Sequence, residues 1–207
     1  RVLSLPSHLL ALINSYEAKN DGSARAPLGD AGAAVVAGAM KTNRTVTRLS
    51  LRGNMVGESG ATATADALRD NTSITQLDLG SSALWGSNSL GAAGAGALGD
   101  VLALSNVTLT SLNVEASVVG PAAVVALCNG LRANRVITDL DIRGNRAGDE
   151  GAAAISMLLG STSQSIHTLH MMANGLTPKG GAAVARALRI NMKLEYLDMS
   201  DNDLGTL

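Results

Sequence analysis

Aromatic side chains are nearly absent, because the 207 residues include one Trp, two Tyr and no Phe. A core without rings must be filled by Leu, Val, Ile, Met and Ala, which suits thin and regularly packed layers. Cys128 is the single cysteine. The chain therefore has no internal disulfide framework, and its cysteine usage fits a reducing compartment.

Charge of one sign and long apolar runs are also missing. The 16 basic residues are balanced by 17 acidic ones, which gives no electrostatic case for a nucleic-acid or membrane partner. No stretch of 18 apolar residues lacks a polar break, so no segment is predicted to span a bilayer. What the chain has in abundance is small residues, 33 Ala and 23 Gly, within a hydrophobic content of 46% that excludes disorder.

A short pattern, apolar-x-x-Leu-x-apolar, recurs six times and organises the chain. Its central leucines, about 28 residues apart except for one spacing of 35, are Leu49, Leu77, Leu112, Leu140, Leu169 and Leu197. An earlier copy is expected at residues 3–5. Five residues after the leucine, four copies have Asn, and Ser82 and Ser117 occupy this column in the other two. Each copy predicts a short strand followed by a turn.

The second half of each unit predicts a helix. An apolar-Gly step such as Val56-Gly57 precedes it, and acidic residues or Pro follow in the first turn, where they suit the helix N-terminus. The predicted helices end at asparagines, a residue that tolerates the left-handed conformation: Asn43, Asn71, Asn106, Asn134 and Asn191. Stacked units of this kind predict a parallel sheet in one layer and helices in a second, curved around it.

The segments 46–54 and 137–145, with Val56-Gly-Glu-Ser-Gly60 after the first, resemble leucine-rich repeats of the ribonuclease-inhibitor class. The resemblance covers residues 28–205 almost continuously. It implies an α/β fold, a right-handed leucine-rich-repeat solenoid or horseshoe with a parallel β-sheet on the concave face and α-helices on the convex face. The class includes ribonuclease inhibitor, Ran GTPase-activating protein and NOD-like receptors, and its members usually bind protein ligands on the concave face.

A single leucine-rich-repeat domain is expected over 1–207. Its departures from regularity are an irregular N-terminal unit at 1–27 and an insertion at 83–89 that includes Trp85. In the N-terminal unit, Ser7 is suited to cap a helix, and a degenerate strand is the open alternative. The chain stops at 202–207, where another helix should begin. This predicts a fragment of a longer protein that contributes further repeats or domains as partners of this one.

Motifs that are typical of enzymes fit the repeat better than a catalytic site. The segment 94–99, GAGALG, has the form GxGxxG, but it does not directly follow a strand and Gly94 belongs to a column of small helix residues. Cys128 aligns with alanines of the helix layer, which predicts a buried apolar residue and not a nucleophile. No catalytic residue, cofactor or metal is predicted.

Strict alternation predicts which residues of each strand face the concave surface. From these columns the candidate partner contacts are Arg48, Arg52, Asp78, Glu115, Asp139, Asp141, Arg143, His170, Met172, Tyr196 and Asp198, with Trp85 as a candidate loop anchor. Basic residues gather at the first strand and acids further along, which favours a partner with a basic surface. Contact is expected to centre on His170, Met172 and Tyr196, because desolvated aromatic residues dominate interface energetics.

His170 is predicted to lie between Asp141 and Asp198, since neighbouring strands are about 4.8 Å apart. A metal site that includes His167 is conceivable. However, a residue three positions earlier in a strand faces the opposite side, and no further residue completes a tetrahedral ligand set. The favoured interpretation is a solvated Asp-His-Asp row.

These features favour a non-enzymatic protein–protein interaction or scaffolding module that binds a partner on its concave face. The resemblance leaves two alternatives, a GTPase-activating module of the Ran-activator type and a structural component of a cytoskeletal or axonemal assembly. No catalytic motif could be mapped for the first alternative. The family implies a cytoplasmic location, with nucleus and cilium or cytoskeleton as special cases, and neither nucleic acid nor membrane is expected as a partner.

Overall fold

The computed structural model describes residues 27–81, 86–161 and 165–205. Most of the irregular N-terminal unit, and Trp85 in the insertion, lie outside these residues. In the described part, helices and three-residue strands alternate strictly, in the order α1 (Gly29–Met40), β1 (Arg48–Ser50), α2 (Glu58–Asp70), β2 (Gln76–Asp78), α3 (Gly91–Leu104), β3 (Ser111–Asn113), α4 (Pro121–Leu131), β4 (Asp139–Asp141), α5 (Gly148–Leu159), β5 (Thr168–His170), α6 (Pro178–Leu188) and β6 (Tyr196–Asp198).

The strands form one parallel sheet in which sequence order is spatial order, β1-β2-β3-β4-β5-β6. Their register repeats without a shift, so that each central leucine is paired with the next, as Leu112 is with Leu140. The central leucines of β2 to β5 are buried, and those of the two edge strands, Leu49 and Leu197, are partly buried. The predicted fold class is confirmed: an α/β repeat solenoid with the sheet on its concave face and the helices on its convex face.

Small residues allow the helices to approach closely. A Cβ atom at Gly130 in α4 would collide with the backbone of Gly99 in α3, so these helices touch with no side chain between them. A Cβ atom at Gly94 would come within 2.7 Å of the Ala61 Cβ atom in α2. The GxGxxG segment therefore lies inside a helix and serves helix packing, as its place in the repeat predicts.

The asparagines that follow the strands are buried or partly buried, and they connect neighbouring repeats. Asn145 is fully buried, and its Oδ1 atom accepts a hydrogen bond from the Val118 N–H at 2.9 Å. Its Nδ2 atom donates to the carbonyls of Val114 and Ile142, at 3.0 and 2.8 Å. One amide side chain thereby satisfies backbone groups of two repeats that the turn would otherwise leave unpaired. We call this set the turn asparagines: Asn54, Asn88, Asn145, Asn174 and Asn202.

Asn88, and not Ser82, fills this column in the second repeat. Its Oδ1 atom accepts from the N–H groups of Asn54 and Val56, at 3.1 and 2.9 Å, and its Nδ2 atom donates to the Leu51 carbonyl at 3.0 Å. The Ser81 N–H bonds to the next repeat just as the Gly53 N–H does. The predicted insertion at 83–89 thus includes an asparagine whose hydrogen bonds are those of the turn column.

The helix-end asparagines have a different role from the one predicted. Asn71 has φ −84° and ψ 131°, which is extended and not left-handed backbone. Its Oδ1 atom accepts from the Ile74 N–H at 2.7 Å, and its Nδ2 atom donates to the Met40 carbonyl of the preceding repeat at 2.7 Å. Left-handed residues instead flank the turn column, before it at Gly53, Ala116, Gly144, Ala173 and Asp201 and after it at Met55, Arg146 and Gly175.

Two acidic residues in first helical turns bridge to the next helix. The Asp30 carboxylate in α1 accepts from the Ser59 hydroxyl at 2.5 Å and from the N–H groups of Gly57 and Gly60, at 2.6 and 3.0 Å. Asp149 in α5 accepts in the same way from Thr177 and Gly180 at the start of α6. These hydrogen bonds lower the pKa of both carboxyl groups below the ordinary value. The bonds from the Ser59 and Thr177 hydroxyls have the largest effect on the pKa.

Candidate protein-binding surface

The sheet brings the predicted concave residues together in straight columns. Strand pairing places Asp78, Asn113, Asp141, His170 and Asp198 side by side in one column. A second column contains Arg48, Asp139 and Tyr196, and a third follows the strand ends with Arg52, Gly80, Glu115, Arg143, Met172 and Ser200. All predicted contact residues in the described part therefore share one face, and Trp85 lies outside that part.

Ion pairs connect five of the charged residues on the first four strands. The Arg52 guanidinium lies 3.3 Å from the Asp78 carboxylate and also pairs with Glu115. Glu115 lies 3.6 Å from the Arg143 guanidinium, which in turn pairs with Asp141 at 2.6 Å. We call these five residues the ion-pair network. The hydrogen bond to Asp141 raises the pKa of Arg143.

The absence of a side chain at Gly80 permits the ion pair between Arg52 and Glu115, which reaches across β2. Gly80 lies between Arg52 and Glu115 in the third column, and a Cβ atom there would collide with the Arg52 guanidinium. Arg52 therefore crosses over β2 to reach the third strand. Alternation placed each charge on the concave face but did not predict these pairs, and the glycine was the one sequence signal for them. Three of the predicted acidic contacts are thus already neutralised by arginines.

The surface over β5 and β6 is different, because aromatic and thioether side chains replace the ion pairs. His170 lies between Asp141 and Asp198, as predicted. Its ring centroid is 5.1 Å from that of Tyr196 with the ring planes inclined at 48°, a geometry typical of favourable ring pairs. Tyr196 is 51% exposed, and Met172 is half-buried. We call His170, Met172 and Tyr196 the aromatic-methionine cluster.

The carboxylate beside this cluster is ionised over a wide pH range. Asp198 accepts hydrogen bonds from the Ser200 hydroxyl at 2.6 Å and the Ser200 N–H at 3.0 Å. These bonds lower the pKa of Asp198, and the charges of His170 and Arg143 contribute a smaller effect in the same direction. Asp139 and Asp201 add further negative charge in the same region of the sheet.

The other polar candidates are occupied by the fold. The His167 Nδ1 atom lies 2.6 Å from the Ser165 carbonyl oxygen, and no group of three His, Cys, Asp or Glu residues in the described ranges could hold a metal ion. Cys128 is fully buried in α4, as predicted, and burial raises the pKa of its thiol to about 12. No described helix has both the length and the apolar content needed to cross a membrane.

Fold and surface together define a repeat solenoid that presents a polar, preformed sheet, an architecture typical of protein-interaction modules. The leucine-rich repeat family matches the chain at residues 42–63, 133–156, 162–185 and 191–206. The chain is thus similar to the leucine-rich-repeat proteins of the ribonuclease-inhibitor-like class. Ribonuclease inhibitor of Sus scrofa is 31% identical over 119 residues, which are 58% of this chain and 26% of that protein. The matched part thus spans about a quarter of that relative.

Two solved structures have the same fold. Leiomodin-1 actin-binding site 2 superposes with a TM-score of 0.60 at 20% identity, over 75% of this chain and 87% of that one. The tropomodulin C-terminal domain from Caenorhabditis elegans superposes with a TM-score of 0.54 at 15% identity, over 77% of this chain and 92% of that one. At these identities the likeness establishes the shared fold alone.

Proposed function

We propose that this chain is a non-enzymatic interaction module inside the cell, which binds a protein partner on its concave face. The observation that carries the proposal is the contrast within that face. The ion-pair network pairs five charged residues of the first four strands with one another, whereas the aromatic-methionine cluster leaves Tyr196 half-exposed beside carboxylates that have no arginine partner. Partner contact therefore centres on the cluster.

The electrostatics of the cluster favour a basic partner surface. Asp139, Asp198 and Asp201 lie around it, and neither Lys nor Arg occurs in the three concave columns of β5 and β6. A Lys or Arg side chain of a partner would gain both the carboxylates and the face of the Tyr196 ring. The parallel sheet holds these groups in place before binding, which lowers the entropic cost of association.

A catalytic role has less support from the same residues. General acid–base catalysis needs carboxyl groups that are free to exchange a proton with a substrate. On this face Asp78, Glu115 and Asp141 are held by arginine side chains instead. An extended sheet with its charges paired suits recognition better than chemistry.

Affinity capture with matched variants tests the proposed surface. The Met172→Ala, Tyr196→Ala double variant should lose a protein that the wild-type chain captures from a lysate of the source organism, and this capture should weaken as salt rises. Met157→Ala is the matched control, because Met157 is an exposed methionine on the helix layer. Thermal unfolding of all chains verifies that the fold is retained.

Two outcomes would contradict the proposal. Full retention of every captured protein by the double variant would exclude the cluster as the contact site. Equal loss with Met157→Ala would move the contact to the convex face. Binding of the purified partner, once identified, should follow the same order of variants in titration calorimetry.

A cytoskeletal role is the second candidate. It is favoured by the likeness to leiomodin-1 actin-binding site 2 and to the tropomodulin C-terminal domain. These structures cover 75% and 77% of this chain, respectively. If actin is the partner, the purified chain should pellet with actin filaments or bind monomeric actin in calorimetry. A chain that remains in the supernatant and gives no binding heat would exclude this candidate and leave the general proposal intact.

A further inference from the structure

The charges of the convex layer are segregated between the two edges of the solenoid. We call the edge where helices end and strands begin the basic rim. Its basic residues are Lys41, Arg44, Arg69, Arg132, Arg135, Arg186, Arg189 and Lys193, and its acidic residues are Asp66, Asp70, Asp100 and Glu195. Within the part of the chain that the structure describes, the basic rim therefore has a formal excess of four positive charges.

The opposite edge, where strands end and helices begin, has the inverse excess. Its acidic residues are Asp30, Glu58, Asp149, Glu150, Asp201 and Asp203, and its basic residues are Arg146 and Lys179. The two edges are separated by the length of a helix, about 20 Å for these elements. Because the Debye length is about 10 Å at 0.1 M salt, an object at the basic rim is screened from the acidic edge. The formal net charge of −1 for the chain thus does not describe this rim.

Large apolar side chains project from the same rim. Leu104 is 82% exposed, Val107 73%, Ile190 68% and Met192 89%. Val107 and Met192 each follow a helix-end asparagine, Asn106 or Asn191, whose side chain bonds to the backbone of its own turn and of the preceding helix. These hydrogen bonds hold the loops that present Val107 and Met192.

Neither the core nor the helix dipole explains this combination. Basic residues suit helix C-termini, but the dipole gives no reason for exposed aliphatic side chains. Isolated exposed apolar residues are common, yet here two pairs share one edge with five basic residues, Arg132, Arg135, Arg186, Arg189 and Lys193. The unshifted register of the strands places the corresponding loops side by side, so that their tips can meet one surface together.

We propose that the basic rim docks on an anionic lipid membrane. Arginine and lysine side chains would bind lipid phosphates and carboxylates, and the four aliphatic side chains would insert at the level of the headgroups. A nucleic acid would satisfy the charges but offers no apolar interior for these side chains. The hot spots of a protein interface cluster near its centre, whereas here two repeats lie between the two apolar pairs, one of them with Arg132 and Arg135. A membrane accepts each side chain independently.

Vesicle sedimentation of the 207-residue chain tests this inference. The chain should bind phosphatidylcholine vesicles only when phosphatidylserine is present, and it should be released at about 0.5 M salt. Arg132→Gln with Arg135→Gln should lower the partition coefficient about 25-fold, since each base near an anionic surface contributes roughly a factor of five. Val107→Ser with Met192→Ser should lower it about tenfold through lost insertion.

The control is Val119→Ser with Lys179→Gln, which removes an exposed aliphatic side chain and a base from the opposite edge. It should bind vesicles like the wild type. The proposal is overturned if the wild-type chain ignores phosphatidylserine vesicles, or if the control loses as much binding as the rim variants. Binding of poly-glutamate without vesicle binding would also overturn it, in favour of an acidic protein partner at the rim.

Discussion

Two sets of polar residues cross the same repeats and serve opposite purposes. The turn asparagines are buried at Asn88, Asn145 and Asn174 and partly buried at Asn54 and Asn202, and they bond to backbone groups of two units at once. The concave columns change residue type from each repeat to the next, and their side chains are partly exposed except for that of the buried Asp141. A polar residue that recurs within the chain therefore belongs to the architecture, and one that varies at an equivalent position is available for recognition.

The largest loss of unfolding free energy is expected for Asn145→Ala, which removes a turn asparagine. The variant loses three hydrogen bonds and leaves the buried Val118 N–H without its acceptor, which should cost about 3 kcal/mol of unfolding free energy. Asn202→Ala removes similar bonds in the outermost turn, where water can replace them, and should cost about 1 kcal/mol. Urea unfolding measures both. Equal losses would show that burial does not set the value of these amides.

The helix layer extends the comparison to residues without polar groups. Gly130→Ala places a methyl group against the Gly99 backbone, and the overpacking should cost about 2 kcal/mol. Gly38 is also helical but has no atom within 4 Å of an added Cβ, so Gly38→Ala should be neutral or stabilise by up to about 1 kcal/mol. A stabilised Gly130→Ala variant in urea unfolding would contradict the close approach of α3 and α4.

The carboxylates of Asp30 and Asp149, which bridge to the next helix, predict that the free energy of unfolding falls at acidic pH. Because the pKa values of Asp30 and Asp149 are lowered in the folded chain, their stabilisation is complete above the ordinary value of 3.8. It is lost as pH falls through the folded pKa values. The Asp30→Asn, Asp149→Asn variant should unfold more easily at neutral pH and lose less stability on acidification. Glu150→Gln removes a neighbouring charge without these bonds, and a similar change in that control would refute the assignment.

The smallest effect is expected in the ion-pair network. The Arg52 side chain is one-third exposed, so Arg52→Gln should change the unfolding free energy by less than about 1 kcal/mol. Arg143→Gln should cost more, because its partner Asp141 has a side chain that is only 8% exposed. A double-mutant cycle with Glu115→Gln isolates the shared pair. A loss of several kcal/mol for Arg52→Gln would place the network with the architecture instead of the recognition surface.

Periodicity was sufficient to predict the sheet, its order and its register, because every repeat buries the same leucine column. It also predicted the His170 neighbours, since pairing in a parallel sheet without shifts follows directly from the spacing. It failed at Asn88, because a six-residue insertion separates that asparagine from its leucine and only the hydrogen bonds reveal its column.

Alternation predicts the face of the sheet on which a side chain lies, but not how far that side chain reaches along the sheet. Arg52 bypasses its nearest strand because Gly80 has no side chain, and this geometry decided which acidic residues are neutralised. The charge segregation of the two edges was visible in the residue types but not in the net charge. The structure adds that the helices separate the two edges in space.

The unequal widths of the two layers set how strongly the sheet curves. Strands are spaced about 4.8 Å apart and packed helices about 8–10 Å, with the layers themselves about 10 Å apart. Each repeat must then turn by about 20–30°, and the sheet curves with an inner radius of about 9–15 Å. Close helix contacts such as that of Gly130 with Gly99 belong to the narrow end of this helix spacing. They therefore flatten the curve and widen the concave face on which His170 lies.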